Sequence, residues 1–211
     1  MRAAQRERLL RSVIAAVAKR GFNEVTVADI VRGARVSRGA FYAHFPDKES
    51  CFLAATRDGG QMLTGEVTDA VRRLGAGASA EDALRAGLAA FLGFLAREPA
   101  FTRAFYIDMP AAGSRAVARI EAAQHSFARL NQAWHERARR DHPAWPQVPY
   151  MACFALAGAT TELVRAEVRH GRAAALTALE DTLAALHLTV LAGQPWPAAA
   201  PAVVAAEPAA G

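Results

Sequence analysis

Residues suited to binding a polyanion lie close together at positions 26–45, TVADIVRGARVSRGAFYAHF. Arg38 carries a guanidinium that can bind two acceptors of a guanine edge at once, and Tyr42 carries a phenol four residues later. Next to Arg38, Gly39 lets the backbone approach a neighbouring molecule closely. An arginine, a glycine and a tyrosine at the start of one short helix are typical of a surface that contacts duplex DNA.

Two short helices and a tight turn must position these residues. Apolar residues at i, i+3, i+4 and i+7 predict the first helix. They are Val27, Ile30, Val31 and Ala34. Thr26 is suited to its N-cap, with Asp29 completing an approximate capping box. Ser37 is suited to cap the second helix, which Phe41 and Phe45 anchor to a core. We therefore expect a helix-turn-helix.

The formal net charge of +5 is concentrated near the amino terminus. Eleven of the 25 Lys and Arg residues, but only six of the 20 Asp and Glu residues, lie at or before Asp58, so the rest of the chain is neutral. A local excess of this kind is expected where phosphates are neutralised. Arginine-rich surface helices also serve solubility alone, so the helix-turn-helix pattern, rather than the charge, favours nucleic-acid binding.

Residues 6–65 resemble the DNA-binding domain of the TetR family of bacterial transcriptional regulators. The matching segments are AKRGF at 18–22, TVADI at 26–30, VSRGAFYAHF at 36–45 and DKE at 47–49. The resemblance implies that bases in the major groove are contacted by Arg38, Gly39, Ala40 and Tyr42. It also implies that phosphates are held by Thr26, Ser37, His44 and Lys48.

Alternatives stay open at three of these positions. Tyr42 can instead be a half-buried aromatic that packs on the first helix, and His44 can have a plain surface role. Arg35 stands where many relatives place glycine. If its φ is positive, the left-handed conformation costs on the order of 1 kcal/mol; the side chain can instead add a phosphate contact.

The remainder of the chain predicts an all-α protein. Its 211 residues are 53% hydrophobic, enough to bury a core. We expect a cytoplasmic protein without a membrane partner, because no apolar run approaches the length of a membrane span and the first residues lack a signal peptide's apolar segment. Cys51 and Cys153 have no zinc-site or disulfide-framework spacing, and we expect both to be small buried residues. No metal or cofactor is expected.

Three segments are predicted along the chain. They are a TetR-type DNA-binding domain at 1–58, a helical ligand-binding and dimerisation domain at 59–192, and a Pro/Ala-rich disordered tail at 193–211. A connecting helix runs from Asp47 toward Arg73, with Gly59-Gly60 as a bend. Further helices are expected at 79–97, from 99 to about 110, at 114–140 and at 150–170.

The last two helices predict a homodimer. Apolar residues there step by three and four, as in a coiled-coil seam. They are Leu176, Leu179, Leu183, Leu186 and Val190. The short turn before them makes an antiparallel hairpin, and the resemblance implies that this hairpin meets its symmetry mate in a four-helix bundle. The alternative is a core helix within one subunit. A two-fold dimer requires a roughly palindromic operator.

The middle of the helical domain is rich in aromatic residues. The resemblance implies a small-molecule site there. The candidate residues are Phe94, Phe101, Phe105, Met109, Gln124, Phe127, Asn131 and Trp134. The alternative is that the aromatic side chains simply fill a core. Their apolar character favours an apolar or amphipathic inducer.

These patterns lead us to expect a sequence-specific DNA-binding transcriptional regulator, a repressor that releases double-stranded operator DNA on binding a small inducer. A constitutive or architectural DNA-binding protein without an inducer is the alternative. We do not expect an enzyme, because the sequence has no phosphate-binding glycine loop, no His-Glu-x-x-His and no nucleophile elbow.

Overall fold

The computed structural model describes residues 2–75 and 77–197, and all regular secondary structure within these residues is helical. The predicted all-α class is confirmed. Of the predicted tail, residues 193–197 contain no helix, and residues 198–211 lie outside the described residues.

Four helices form the amino-terminal part of the molecule. They are α1 (Arg2–Arg20), α2 (Val27–Ala34), α3 (Arg38–Tyr42) and α4 (Lys48–Arg73). Gly21 ends α1 at φ +81°, a conformation that glycine adopts at little cost. Asp47 caps α4 by accepting a hydrogen bond from the Ser50 amide at 2.6 Å. These helices enclose an amino-terminal core, whose fully buried residues include Leu9, Val13, Val17, Ile30, Phe41 and Phe52.

Five helices follow. They are α5 (Ala80–Arg97), α6 (Pro99–Arg103), α7 (Ser114–Asp141), α8 (Tyr150–Arg169) and α9 (Glu180–Ala192). A π-helical turn (Ala104–Asp108) and a 3₁₀ turn (Met109–Ala112) continue α6, where a single helix was predicted. Pro110 accounts for the change, since it has no amide hydrogen with which to continue an α-helix. A second 3₁₀ turn (Ala173–Leu179) leads into α9, so the predicted leucine seam is only partly α-helical.

The connecting helix α4 runs without interruption past Gly59 and Gly60, where a bend was predicted. Gly59 is required for a different reason. A Cβ atom at Gly59 would overlap the ring of Phe101 in α6, whereas a Cβ at Gly60 would meet nothing. Gly59 therefore allows α4 and α6 to approach each other closely.

The amino-terminal core also takes in residues from beyond the predicted domain boundary at residue 58. Ala104, Met109, Ala112 and Ala116 are all buried in it. Phe105 packs against this core and also against a second core formed around α5, α8 and α9. The two parts of the molecule are thus joined both by α4 and by the turns that follow α6.

The apolar segment Ala173–Ala192 meets the length and composition of a membrane span, but half of it is buried inside the fold. Leu176, Leu183 and Leu191 have no exposed surface at all. This is the pattern of a core element, and it explains the high apolar content without a membrane.

Candidate nucleic-acid interface and internal cavity

The start of α2 is fixed by the predicted capping box. The Thr26 hydroxyl accepts a hydrogen bond from the Asp29 amide at 3.3 Å, and Asp29 Oδ2 accepts one from the Thr26 amide at 3.0 Å. The Arg20 guanidinium lies 2.8 Å from the same carboxylate. Arg20, followed by Thr26, holds the pKa of Asp29 well below its ordinary value. The ion pair fixes the end of α1 against the start of α2.

The turn between α2 and α3 requires a left-handed residue. Arg35 adopts φ +53° and ψ +51°, and it is the only non-glycine residue with positive φ in the described part of the chain. Ser37 then caps α3, because its hydroxyl accepts a hydrogen bond from the Ala40 amide at 3.1 Å. Both features agree with the sequence-based expectation, including the strain at Arg35.

Helix α3 presents its first residues and Tyr42 to solvent and Phe41 to the core. Arg38 and Gly39 are exposed, and Ala40 is half-buried. Tyr42 is 56% exposed, and its ring stands edge-on to that of buried Phe41 at 5.3 Å. The alternative in which Tyr42 packs on α1 is not what this structure contains. The four predicted base-reading residues thus share one short helix with an open face.

Lys48 was predicted to contact a phosphate, but in this structure its ammonium is bound within the fold. Its ammonium donates to three carbonyl oxygens of the α1–α2 loop, those of Phe22 (2.9 Å), Asn23 (3.2 Å) and Val25 (2.8 Å). It also lies 4.5 Å from the centre of the Phe22 ring. A lysine ammonium has three protons, so all of them are used within the fold. Lys48 joins α4 to the α1–α2 loop instead of reaching toward DNA.

The other predicted phosphate contacts differ in whether a hydrogen-bond donor is left for a phosphate. The Thr26 hydroxyl donates its own proton to Asp29 Oδ2 at 2.6 Å, so both hydrogen-bond donors of Thr26 are used in the capping box. Ser37 is exposed, and its hydroxyl proton has no acceptor among residues 2–75 and 77–197. His44 is half-buried beside the Phe45 ring. Ser37 and His44 stay predictions as phosphate contacts.

A cavity of about 860 Å³ lies in the second part of the molecule. Its walls come from the end of α4, the first half of α5, the second half of α7 and the middle of α8. Small-molecule sites typically enclose roughly 300–1,000 Å³. The cavity is therefore large enough for a sizeable organic molecule, and α4 connects its wall directly to the helix-turn-helix.

Three of the eight predicted ligand-binding residues line this cavity, namely Phe127, Asn131 and Trp134. The other five do not. Phe94, Phe101 and Met109 are buried in the two cores, and Phe105 packs between them. Gln124 is half-buried instead beside Gly158, where α7 meets α8. Periodicity identified these aromatics as inward-facing, but it does not distinguish a filled core from a cavity wall.

Other residues also line the cavity. Phe91, Tyr106 and Thr160 belong to the aromatic and polar residues that the sequence offers in this region, whereas Thr161 and His187 were not predicted. The aromatic content of the region gave a signal for Phe91 and Tyr106, whereas His187 lies within an apolar run that gave none. Arg72, Arg137 and Arg140 lie at the open end together with Glu136. The cavity thus has an apolar interior and a mostly cationic rim.

The leucine seam divides between core and surface. Leu176, Leu179 and Leu183 are buried within the chain itself, so the predicted interface role is corrected for these three. Their spacing fits a core helix equally well, and α5 covers them. Leu186 and Val190 are half-buried beside α8. On α8, Met151 is 64% exposed, which adds an apolar residue to this outer surface.

The cysteines and other potential metal ligands are dispersed. Cys51 and Cys153 are both buried and free, as expected. Burial raises the pKa of the Cys51 thiol to about 12. Across residues 2–75 and 77–197, no three His, Cys, Asp or Glu side chains converge as they would around a metal ion.

Comparison with known proteins supports the geometry of the amino-terminal part. Residues 10–55 match the model of the family described as bacterial regulatory proteins, tetR family. The amino-terminal domain is a TetR-family domain. A curated relative of this TetR-type domain is the uncharacterized HTH-type transcriptional regulator YerO of Bacillus subtilis, 39% identical over 51 residues. That match covers 24% of this chain and only 18% of the relative.

Solved structures share the fold over nearly the whole chain, including the helices that follow the TetR-type domain. The fatty acid degradation regulator FadR from Bacillus halodurans superimposes with a TM-score of 0.79 at 15% identity, covering 92% of this chain and 97% of that one. The regulator FadR from Bacillus subtilis in complex with stearoyl-CoA gives a TM-score of 0.74 at 15% identity, covering 90% of this chain and 99% of that one. A TetR-like regulator from Rhodococcus sp. RHA1 gives a TM-score of 0.67 at 22% identity, covering 90% of this chain and 97% of that one.

Proposed function

We propose that this protein is a cytoplasmic, homodimeric transcriptional repressor that binds a palindromic DNA operator through α3 and releases it when a small apolar or amphipathic molecule enters the cavity. The observation that carries this proposal is the continuity of α4. The helix begins at Lys48, which holds the α1–α2 loop, and it ends at the cavity wall with Val67, Val71 and Arg72. Its 26 residues extend about 39 Å.

DNA recognition in this proposal is assigned to α3. The exposed Arg38 guanidinium can bind a guanine edge through two hydrogen bonds, and exposed Tyr42 lies one turn away. Ser37 offers a free hydroxyl proton for a phosphate oxygen. Buried Phe41 and Phe45 hold the helix against the core, so that its reading face is presented rigidly.

Ligand response is assigned to the cavity. Ligand binding shifts a conformational equilibrium only if the ligand has different affinities for the two states. The end of α4 forms part of the cavity wall, and the same helix carries the TetR-type domain. A ligand that displaces this part of the wall therefore also displaces the domain, so its affinity differs between the two states. The stearoyl-CoA complex of the Bacillus subtilis FadR neighbour supports an amphipathic ligand for this fold.

Dimerisation is assigned to the outer faces of α8 and α9. Phe154 and Val190 are only partly buried against one small cluster, and Leu186 is partly buried between that cluster and the second core. Exposed Met151 lies on the same helix as Phe154. Sedimentation velocity should show a dimer for the wild-type protein and a shift toward monomer for Val190→Glu. A wild-type monomer at micromolar concentration would remove this part of the proposal.

The DNA-binding assignment is tested by selecting duplexes from a random library and measuring affinity by fluorescence anisotropy. Arg38→Ala should weaken binding of the selected duplex by about tenfold or more, since a bidentate arginine contact contributes about 1–3 kcal/mol of discrimination. Arg73→Ala is the matched control, because Arg73 is an exposed arginine of α4 outside the TetR-type domain. Equal affinities for both variants would overturn the assignment to α3.

The ligand-response assignment is tested by narrowing the cavity. Gly87 lines it, and a Cβ there meets Val67 and Val71 at ordinary van der Waals distances. Gly87→Leu should retain DNA binding and lose release by compounds that act on the wild type. The control is Gly65→Leu on α4, where a Cβ meets nothing within 4 Å. If no apolar or amphipathic compound releases DNA from the wild type, the constitutive alternative is the correct one.

A further inference from the structure

Two polar side chains that line the cavity are almost fully buried, whereas the charged residues at its rim are exposed. Tyr106, in the π-helical turn after α6, is 5% exposed, and His187 of α9 is 3% exposed. Both line the cavity. Their elements approach the same space from different sides, so the two side chains arise from unrelated parts of the sequence.

The hydrogen bonding of His187 fixes which ring nitrogen is free. Its Nδ1 lies 2.7 Å from the Leu183 carbonyl oxygen. A carbonyl oxygen can only accept, so Nδ1 carries the hydrogen and Nε2 presents a lone pair. Burial lowers the pKa of His187 and raises that of Tyr106. At neutral pH the pair therefore consists of one hydroxyl donor and one nitrogen acceptor, both uncharged.

Neither Tyr106 Oη nor His187 Nε2 has a hydrogen-bond partner among the residues that the structure describes. The fully enclosed side-chain atoms without a partner in that part of the chain are Asp108 Oδ2, His135 Nδ1 and Thr189 Oγ1. The two cavity atoms are not among them, so each opens onto free space. The space that both residues line is the cavity.

We propose that Tyr106 Oη and His187 Nε2 form a specificity subsite for a neutral hydroxyl group at the inner end of the ligand. The ligand oxygen accepts from Tyr106, and the ligand hydrogen is donated to His187. This inference rests on the proposed function, because it presupposes that the cavity binds the inducer. It narrows the ligand to an apolar molecule with a buried hydroxyl group.

Other terminal groups fit this end of the cavity less well. A methyl group would leave two buried polar atoms without partners, which is unfavourable. A carboxylate would have to be buried as a charge, and Arg165, which donates to the Tyr106 carbonyl oxygen at 3.3 Å, is already paired with Glu162. Arginines at the rim, namely Arg72, Arg137 and Arg140, instead favour an anionic group at the outer end. An elongated hydroxy acid combines both requirements.

The test measures binding of matched ligand pairs by isothermal titration calorimetry. The probes are octanoate, dodecanoate and hexadecanoate, each with and without a hydroxyl group on its terminal carbon, so that no chain length is assumed. Tyr106→Phe removes a single oxygen atom, and His187→Leu removes the acceptor. Thr64→Val is the matched control, because the Thr64 hydroxyl likewise donates to a carbonyl one turn back, that of Gly60, but lies outside the cavity lining.

At the best-fitting length, the wild-type protein should bind the hydroxylated acid about tenfold more tightly than the plain acid or better. Tyr106→Phe and His187→Leu should each reduce this ratio to about twofold or less, and Thr64→Val should leave it unchanged. A wild-type ratio near one, a ratio that survives Tyr106→Phe, or binding of neither series overturns the inference. The proposed function fails separately, when no compound of any class releases DNA.

Discussion

Replacing Lys48 by methionine distinguishes a structural role of this residue from a role in DNA binding. The substitution keeps the apolar stem and removes the ammonium that donates to the carbonyl oxygens of Phe22, Asn23 and Val25. Hydrogen bonds to charged groups contribute about 1.5–3 kcal/mol each. Lys48 is only half-buried, and the released carbonyls regain water, so we expect a total loss of about 2–4 kcal/mol in the free energy of unfolding.

Urea denaturation of wild-type and Lys48→Met protein at one fixed concentration measures this loss. The matched control is Lys19→Met, which replaces the other lysine of the chain. Lys19 is exposed in the last turn of α1, so its replacement should change the free energy of unfolding by about 0.5 kcal/mol or less.

The salt dependence of DNA binding tests whether Lys48 also contacts a phosphate. In conditions where both proteins are folded, the slope of log affinity against log salt should be the same for Lys48→Met and the wild type. Loss of a phosphate contact would lower that slope by about one. Unchanged stability together with a reduced slope would refute the structural role of Lys48 and restore the phosphate contact predicted from the sequence.

Four further substitutions probe the framework around the site. Arg35→Gly should raise the free energy of unfolding in urea by about 0.5–1 kcal/mol, because φ +53° favours glycine; a loss of stability would contradict the strain. Gly59→Ala should lower the free energy of unfolding by about 1–3 kcal/mol, because the new Cβ overlaps the Phe101 ring. In the double variant with Phe101→Leu, Gly59→Ala should cost less. If the two single losses simply add in the double variant, this contact is not the cause. Asp29→Asn should destabilise the protein above the ordinary carboxyl pKa and have no effect in strong acid, because the pKa of Asp29 is lowered in the fold and its contribution is lost as pH falls. Asp108→Asn should have the opposite effect and stabilise the protein at neutral pH, since burial raises the pKa of Asp108. Thermal melts across pH measure both effects. A change in melting temperature of the same sign for both variants at neutral pH would contradict these assignments.

Local features could be predicted from the sequence because they depend on residues close in the chain. The capping box of Thr26 and Asp29, the cap at Ser37 and the burial of Phe41 all follow from spacing within one or two turns. The left-handed conformation at Arg35 was recognised as a possibility from the resemblance, because many relatives place glycine there. Helix boundaries likewise agree closely with Pro, Gly and N-cap signals.

The exact lining of the cavity could not be predicted, because its walls depend on how distant helices pack. Phe101 and Phe127 have the same chemistry and similar spacing, yet Phe101 fills the contact with Gly59 while Phe127 faces free space. His187 lies among buried apolar residues and has no sequence signature of a ligand contact. The carbonyl contacts of Lys48 could not be predicted for the same reason, since the three partners lie 23 to 26 residues away.

The most direct measurement for paired recognition by α3 is the effect of half-site spacing on affinity. After selection of a palindromic duplex, five base pairs are inserted between its half-sites, which turns one half-site by about half a helical turn away from the other. A dimer that places two α3 helices on one face of DNA should lose at least about tenfold in affinity for the spaced duplex. Equal affinity for both duplexes would contradict recognition by two subunits that present α3 to the major groove.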